Sequence, residues 1–165
     1  MIEEFTANGY TVRVEPDTDV TKENDDPSCF IVTTNNRYFS VEGPNGETAG
    51  SVGESMAEWE ETHNVYPLYA LIHGGVVLSV TSDMKEYYMG FDSGQIGFVL
   101  VTKNSGEIPD PFGYAKEMVE VWNQYLSGDV WGYTVTAPDG EEVSCWGIYG
   151  FDAAIQEALS EVGKP

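Results

Sequence analysis

Val130 to Tyr149 read VWGYTVTAPDGEEVSCWGIY, and this stretch decides the fold. Val130–Thr136 and Glu142–Tyr149 are rich in β-branched and aromatic residues, as strands are. Pro138-Asp139-Gly140 between them is a turn: Pro presets φ, and Gly accepts a positive one. So short a connection joins antiparallel strands, because a parallel pair needs a crossover of about a dozen residues or more.

Working outward, the neighbours are helices. Asp110 stands before Pro111, an N-cap followed by the residue best suited to the first helical position. Ala115, Met118, Val119, Trp122, Tyr125 and Leu126 then recur at helical spacing, and Gly128 closes a helix over 111–126. On the other side Asp152 is placed to cap a helix over about 153–162, with Ile155, Ala158, Leu159 and Val162 facing inward.

Toward the N-terminus the strand pattern returns. Tyr10–Glu15 alternates polar and apolar residues. Cys29–Thr34 and Tyr38–Val41 read as a hairpin around Asn35-Asn36, and Gly43-Pro44-Asn45-Gly46 as a further turn. Leu68–His73 and Val76–Thr81 flank Gly74-Gly75, and Gln95–Thr102 is a strongly apolar strand. A short helix is expected over about 54–63. These elements predict an α+β fold: a mostly antiparallel sheet with two or three helices packed on one face. One continuous domain over 1–165 is expected. The alternative is a boundary near residue 64, separating an acidic β-rich subdomain over 1–64 from an α+β segment over 65–165.

Charge is the chain's distinguishing property. Against 28 acids stand 7 Lys and Arg, a net charge of −21 over 165 residues. Residues 1–64 hold 14 acids and 3 bases, and residues 65–165 hold 14 and 4, so the charge is not a tail. Aromatic residues make up 13%, which marks a folded chain, since acidic disordered segments lack them. Nucleic acid and anionic membrane would both repel such a surface. Cations and basic proteins would not. Met1-Ile2-Glu3-Glu4 lacks the basic and apolar regions of a secretory leader, and no apolar run is long enough to span a bilayer. A cytoplasmic location is expected. Cys29 and Cys145 sit in apolar runs and read as buried free thiols.

The motifs that carry chemistry fall short. His63 and His73 have no metal-ligand spacing, and paired cysteines are lacking. Asp17, Asp19, Thr21, Glu23 and Asp25 alternate like a calcium loop. Lys22 and Ser28 stand where that loop needs Gly and Glu. Gly53-Glu54-Ser55-Met56-Ala57 approximates a nucleophile elbow without its second glycine, and His73-Gly74-Gly75 resembles part of an oxyanion motif. Gly94-Gln95-Ile96-Gly97 leads into a strand and is no phosphate loop. It reads instead as a bulge or close backbone approach, as do Gly147 and Gly150. Tyr87, Tyr88, Trp122, Tyr125, Trp131, Tyr133, Trp146 and Tyr149 could stack bases, but without cations around them they read as core and sheet-face residues. No catalytic residue, metal or cofactor is assigned.

The acids themselves become the candidate surface. Glu54, Glu58 and Glu61 recur at helical spacing with Glu60 beside them, at a pitch of about 5.4 Å per turn. That is the order of the phosphate spacing along one nucleic-acid strand. Glu15, Asp17, Asp19, Glu23, Asp25 and Asp26 would extend the track, as would Asp139, Glu141 and Glu142. Salt adaptation also loads surfaces with carboxylate, and a small hydrolase-like enzyme is a further alternative.

Three stretches occur together: Asp92-Ser93-Gly94-Gln95-Ile96-Gly97-Phe98, Asn123 to Tyr133, and Ser144-Cys145-Trp146-Gly147-Ile148-Tyr149-Gly150. Over about residues 66–160 the chain resembles a family of uncharacterised small proteins encoded by bacteriophages and other mobile elements. The resemblance implies a setting in which acidic, non-enzymatic DNA mimics disarm host CRISPR effectors or restriction enzymes. The expected partner is then a basic nucleic-acid-binding protein of the host.

Overall fold

Alternating apolar positions and two helical faces build eight strands and four helices among the described residues. The computed structural model describes residues 2–72, 75–81, 93–104, 106 and 108–163. In chain order the elements are β1 (Glu3–Ala7), β2 (Tyr10–Pro16), β3 (Cys29–Thr33), α1 (Ala49–Glu54), α2 (Met56–Thr62) and β4 (His63–Ile72). There follow β5 (Val76–Val80), β6 (Ser93–Thr102), α3 (Pro111–Leu126), β7 (Val130–Thr136), β8 (Glu142–Tyr149) and α4 (Phe151–Ser160). The fold is α+β, with every strand pairing antiparallel in two four-stranded sheets, β1-β2-β7-β8 and β3-β6-β4-β5. The chain divides into two compact units, residues 1–22 with 124–165, and residues 23–123. Residue 64 lies within β4, inside the second unit.

In the first unit the β7–β8 hairpin forms over the quoted stretch. Val12 and Val14 of β2, Trp131, Tyr133 and Val135 of β7, and Ile148 of β8 share one face. Ala154 and Ala158 of α4 are fully buried against them, with Phe151, Ile155 and Val162 around. Alanine has no side chain to hold helix and sheet apart. The opposite face carries Arg13, Glu15, Thr134, Ser144 and Trp146, exposed or half-buried. Helix α4 starts earlier than its periodicity predicts. Its N-cap is Gly150, with no side-chain cap, and Asp152 lies in the first turn. Leu159 is 43% exposed, outside the inward face expected for it. Strand β1 escapes a propensity reading because Glu3 and Glu4 disfavour strands. Its hairpin signal is Asn8-Gly9, both at positive φ, joining Ala7 to its partner Tyr10.

In the second unit Phe30 and Val32 of β3 and Leu100 of β6 bury one face of the sheet against Val52 of α1. Trp59 of α2 packs beside them and meets Phe30 edge-on at 5.9 Å. Tyr66, which follows Val65 and so points the other way, meets Phe112 of α3 at 5.3 Å. Helices therefore flank both faces of this sheet, whereas a single covered face was expected. Helix α3 has the predicted bounds. Asp110 caps it, accepting the Gly113 N–H at 3.0 Å. At its end the Gly128 and Asp129 N–H groups return to the carbonyls of Tyr125 and Gln124.

Three further expectations are corrected. The helix expected over 54–63 is two helices, broken at Ser55, whose φ of −116° and ψ of 30° leave the helical region. Tyr38–Val41 forms no strand, because the Val41 N–H goes to the Thr33 hydroxyl at 2.9 Å in place of a second ladder bond. Strand β4 begins at His63, five residues before its expected start at Leu68. His73, Gly74, Tyr87, Tyr88 and Asp92 lie outside the described residues.

Both edges of the β3-β6-β4-β5 sheet are met by an asparagine side chain. On edge strand β3, Asn24 donates to the Ile31 carbonyl at 2.8 Å and accepts the Ile31 N–H at 3.1 Å. On edge strand β5, Asn123 accepts the Leu78 N–H at 2.7 Å and donates to the Leu78 carbonyl at 2.9 Å. Each amide supplies one acceptor and one donor, as a residue of a further strand would.

Candidate interaction surface

The acids named from sequence divide between the two units. In the first, Glu15 stands near the end of β2 and Asp17 and Asp19 follow it, while Asp139, Glu141 and Glu142 occupy the β7–β8 turn and the start of β8. Because β2 pairs Pro16 with Trp131 at the start of β7, these groups stand at opposite ends of one sheet. At about 3.3 Å per residue, the seven residues of β7 separate them by roughly 20 Å. They form no continuous track.

In the second unit Glu23, Asp25 and Asp26 lie in the loop before β3, exposed. Asp26 is fixed by accepting the Ser28 N–H at 2.9 Å. His63, at the end of α2, contacts the Pro27 carbonyl through Nε2 at 3.0 Å and the Thr62 hydroxyl through Nδ1 at 2.8 Å. That contact joins the loop bearing Asp25 and Asp26 to the end of α2 bearing Glu60 and Glu61. Glu58, Glu60 and Glu61 are exposed on α2, and the half-buried Trp59 anchors its other side. Glu54 ends α1, so the run Glu54, Glu58, Glu61 does not lie along one helix.

Among the described residues Asp19, Asp25, Asp26, Glu54, Glu58, Glu60, Glu61, Asp139, Glu141 and Glu142 make no ion pair. Arg13 pairs with Glu15 at 2.9 Å and with Glu4 at 3.4 Å. Lys103 donates its ammonium to the backbone carbonyl of Glu60, and not to a carboxylate.

Asp17 is held more firmly than its neighbours. Its Oδ1 accepts the Asp19 N–H at 3.1 Å and its Oδ2 accepts the Gly147 N–H at 2.9 Å. A groove of about 520 Å³ opens there, lined by Glu15, Pro16, Asp17, Thr18, Asp19 and Trp146. Trp122, Trp131 and Tyr133 are buried, as core residues should be, but Trp146 is 48% exposed. Its ring lies over Gly132: a Cβ there would stand 2.0 Å from the indole Cε3. The sequence marks the bulge here through Gly147, and gives no sign that Trp146 is exposed. Two residues of β8 stand opposite the single residue 132, and Gly147 takes a φ of +76°.

Among the described residues the chemical motifs do not assemble. Ser55 lies between two helices, not on the strand-to-helix turn a nucleophile elbow needs. Among the described residues no three His, Cys, Asp or Glu side chains are grouped to hold a metal. Both cysteines are free, Cys29 buried and Cys145 half-buried. Burial pushes the Cys29 thiol up from its ordinary pKa, and burial likewise raises the Tyr114 phenol that hydrogen-bonds it. A thiol raised in this way is less often the thiolate at neutral pH. Among the described residues no helix is long and apolar enough to cross a membrane. Compared with known protein families, curated proteins and solved structures, the chain matches none.

Proposed function

We propose that this protein is an acidic, non-enzymatic inhibitor or decoy, phage-encoded and acting in the host cytoplasm. It occupies the basic nucleic-acid-binding surface of a host defence protein, such as a CRISPR effector or a restriction enzyme. One observation carries this reading. The exposed acids of α2 and of the loop at 25–26 are fixed on a folded surface and lack ion-pair partners among the described residues. Such a surface keeps its charge for a partner. A rigid polyanion displaces nucleic acid from a cationic groove without the ordering cost of a flexible acidic tail.

The test is competition. Binding to a purified effector should be lost when duplex DNA saturates it, and should weaken steeply as salt rises. Reversing Glu58, Glu60 and Glu61 to Lys should abolish inhibition and leave the circular-dichroism spectrum unchanged. Binding that persists on the DNA-saturated effector would overturn mimicry. Inhibition that survives the triple reversal would remove α2 from the contact face.

A further inference from the structure

We infer that the groove beside Trp146 receives an arginine side chain of a basic partner, with the guanidinium laid against the indole. The inference rests on the proposed function for the partner's charge, and adds where one of its side chains goes. An indole with nearly half its surface exposed is unusual in a chain whose Trp122 and Trp131 are buried. Its exposure is imposed by structure. Trp146 follows Cys145, which packs toward the core, and so stands on the outer face, where its ring lies over Gly132 and lines the groove. Glu15 pairs with Gly132 in the β2–β7 ladder and so flanks the ring on the same face. Asp17, tied to the Gly147 N–H, holds a carboxylate at a fixed place beside it. The exposed Asp19 completes the rim.

This combination selects a planar cation. Guanidinium stacks on aromatic faces and is more weakly hydrated than ammonium, so it loses less on leaving water. Its fork also matches a carboxylate held in one orientation. A sugar stacks on tryptophan too, but gains nothing from the negative charge. Glu15, Asp17 and Asp19 line the groove, and the nearby Arg13 is already held between Glu15 and Glu4.

The full-length protein is titrated at low salt with acetyl-Gly-Arg-Gly-amide, and the four indole N–H resonances are followed by NMR, with Trp146 assigned from Trp146→Phe. The Trp146 resonance should shift saturably while the other three stay in place. Acetyl-Gly-Lys-Gly-amide should bind roughly fivefold more weakly. The neutral citrulline tripeptide should not bind. Gly132→Ala, whose Cβ pushes the ring off the strand, and Trp146→Ala should abolish the effect of arginine on backbone resonances of residues 15–19, with melting temperatures near that of the parent.

Equal shifts with citrulline, or a Trp146 shift produced only by a neutral oligosaccharide, would overturn the assignment. So would an unmoved Trp146 resonance. The two readings fail separately. Arginine binding at Trp146 with no DNA competition would leave the groove and remove mimicry. Inhibition that depends on Glu58, Glu60 and Glu61 without arginine binding would do the reverse.

Discussion

Gly97 has very little room to change. A Cβ on it would stand 1.8 Å from the Val32 carbonyl oxygen, which is backbone and cannot swing away. Gly97→Ala should therefore cost about 3 kcal/mol, the upper end for overpacking, read as a drop in the urea midpoint with an unchanged slope. A cost below about 1 kcal/mol would mean that β3 and β6 can separate locally. This site was legible in the sequence, because two glycines in an otherwise apolar strand mark a bulge or a close approach. Both occur: the β4–β6 register shifts between Leu68 and Tyr69, and Gly97 touches β3. Trp146 was not legible in the same way. Its aromatic character fits a core strand, yet it follows the core-packed Cys145 and so faces solvent, and the extra residue of the β7–β8 bulge then returns Ile148 to the core. Nothing in local composition reports on which side of a bulge a side chain emerges.

At the scale of elements, hydrogen bonds that propensity does not count shape the second unit's sheet. Asn24 and Asn123 each satisfy an outward-facing N–H and carbonyl on an edge strand. Asn24 also reaches the Glu42 carbonyl at 2.8 Å. Replacing either with Ala leaves those backbone groups without their partner, at a cost of about 1–3 kcal/mol. Asn24→Ala and Asn123→Ala should each lower the chemical midpoint. Hydrogen exchange should accelerate first at Ile31 in one variant and at Leu78 in the other. Unchanged exchange at those amides would show that water replaces the side chain without loss. Element type was readable where periodicity was long, as in α3, whose cap, apolar face and stop agreed. The break at Ser55 was not, since the alternation of glutamates with Met56 and Trp59 continues a helical pattern across it. The strand at Glu3–Ala7 was hidden by its charge, although Asn8-Gly9 announced the turn.

For the whole molecule, charge matters most. A net charge of −21 works against compaction through self-repulsion. Salt shortens the reach of that repulsion, from about 10 Å at 0.1 M to about 3 Å at 1 M. The melting temperature should rise with sodium chloride, by roughly 2–4 °C for each 1 kcal/mol of repulsion relieved in a chain of this size. A melting temperature independent of salt would mean that the acids are spaced widely enough to cost nothing. The same salt series should weaken partner binding, so stability and inhibition move in opposite directions. The division into units carries a consequence of another kind, for the order of events during synthesis. Residues 23–123 are contiguous and are complete once their last residue has left the ribosome. The first unit is assembled from both ends of its sequence: β1 and β2 emerge early but wait for β7, more than a hundred residues later, to give them a sheet partner. A lone two-stranded hairpin is only marginally stable, so β1 and β2, made before the whole of the second unit, find their place after it.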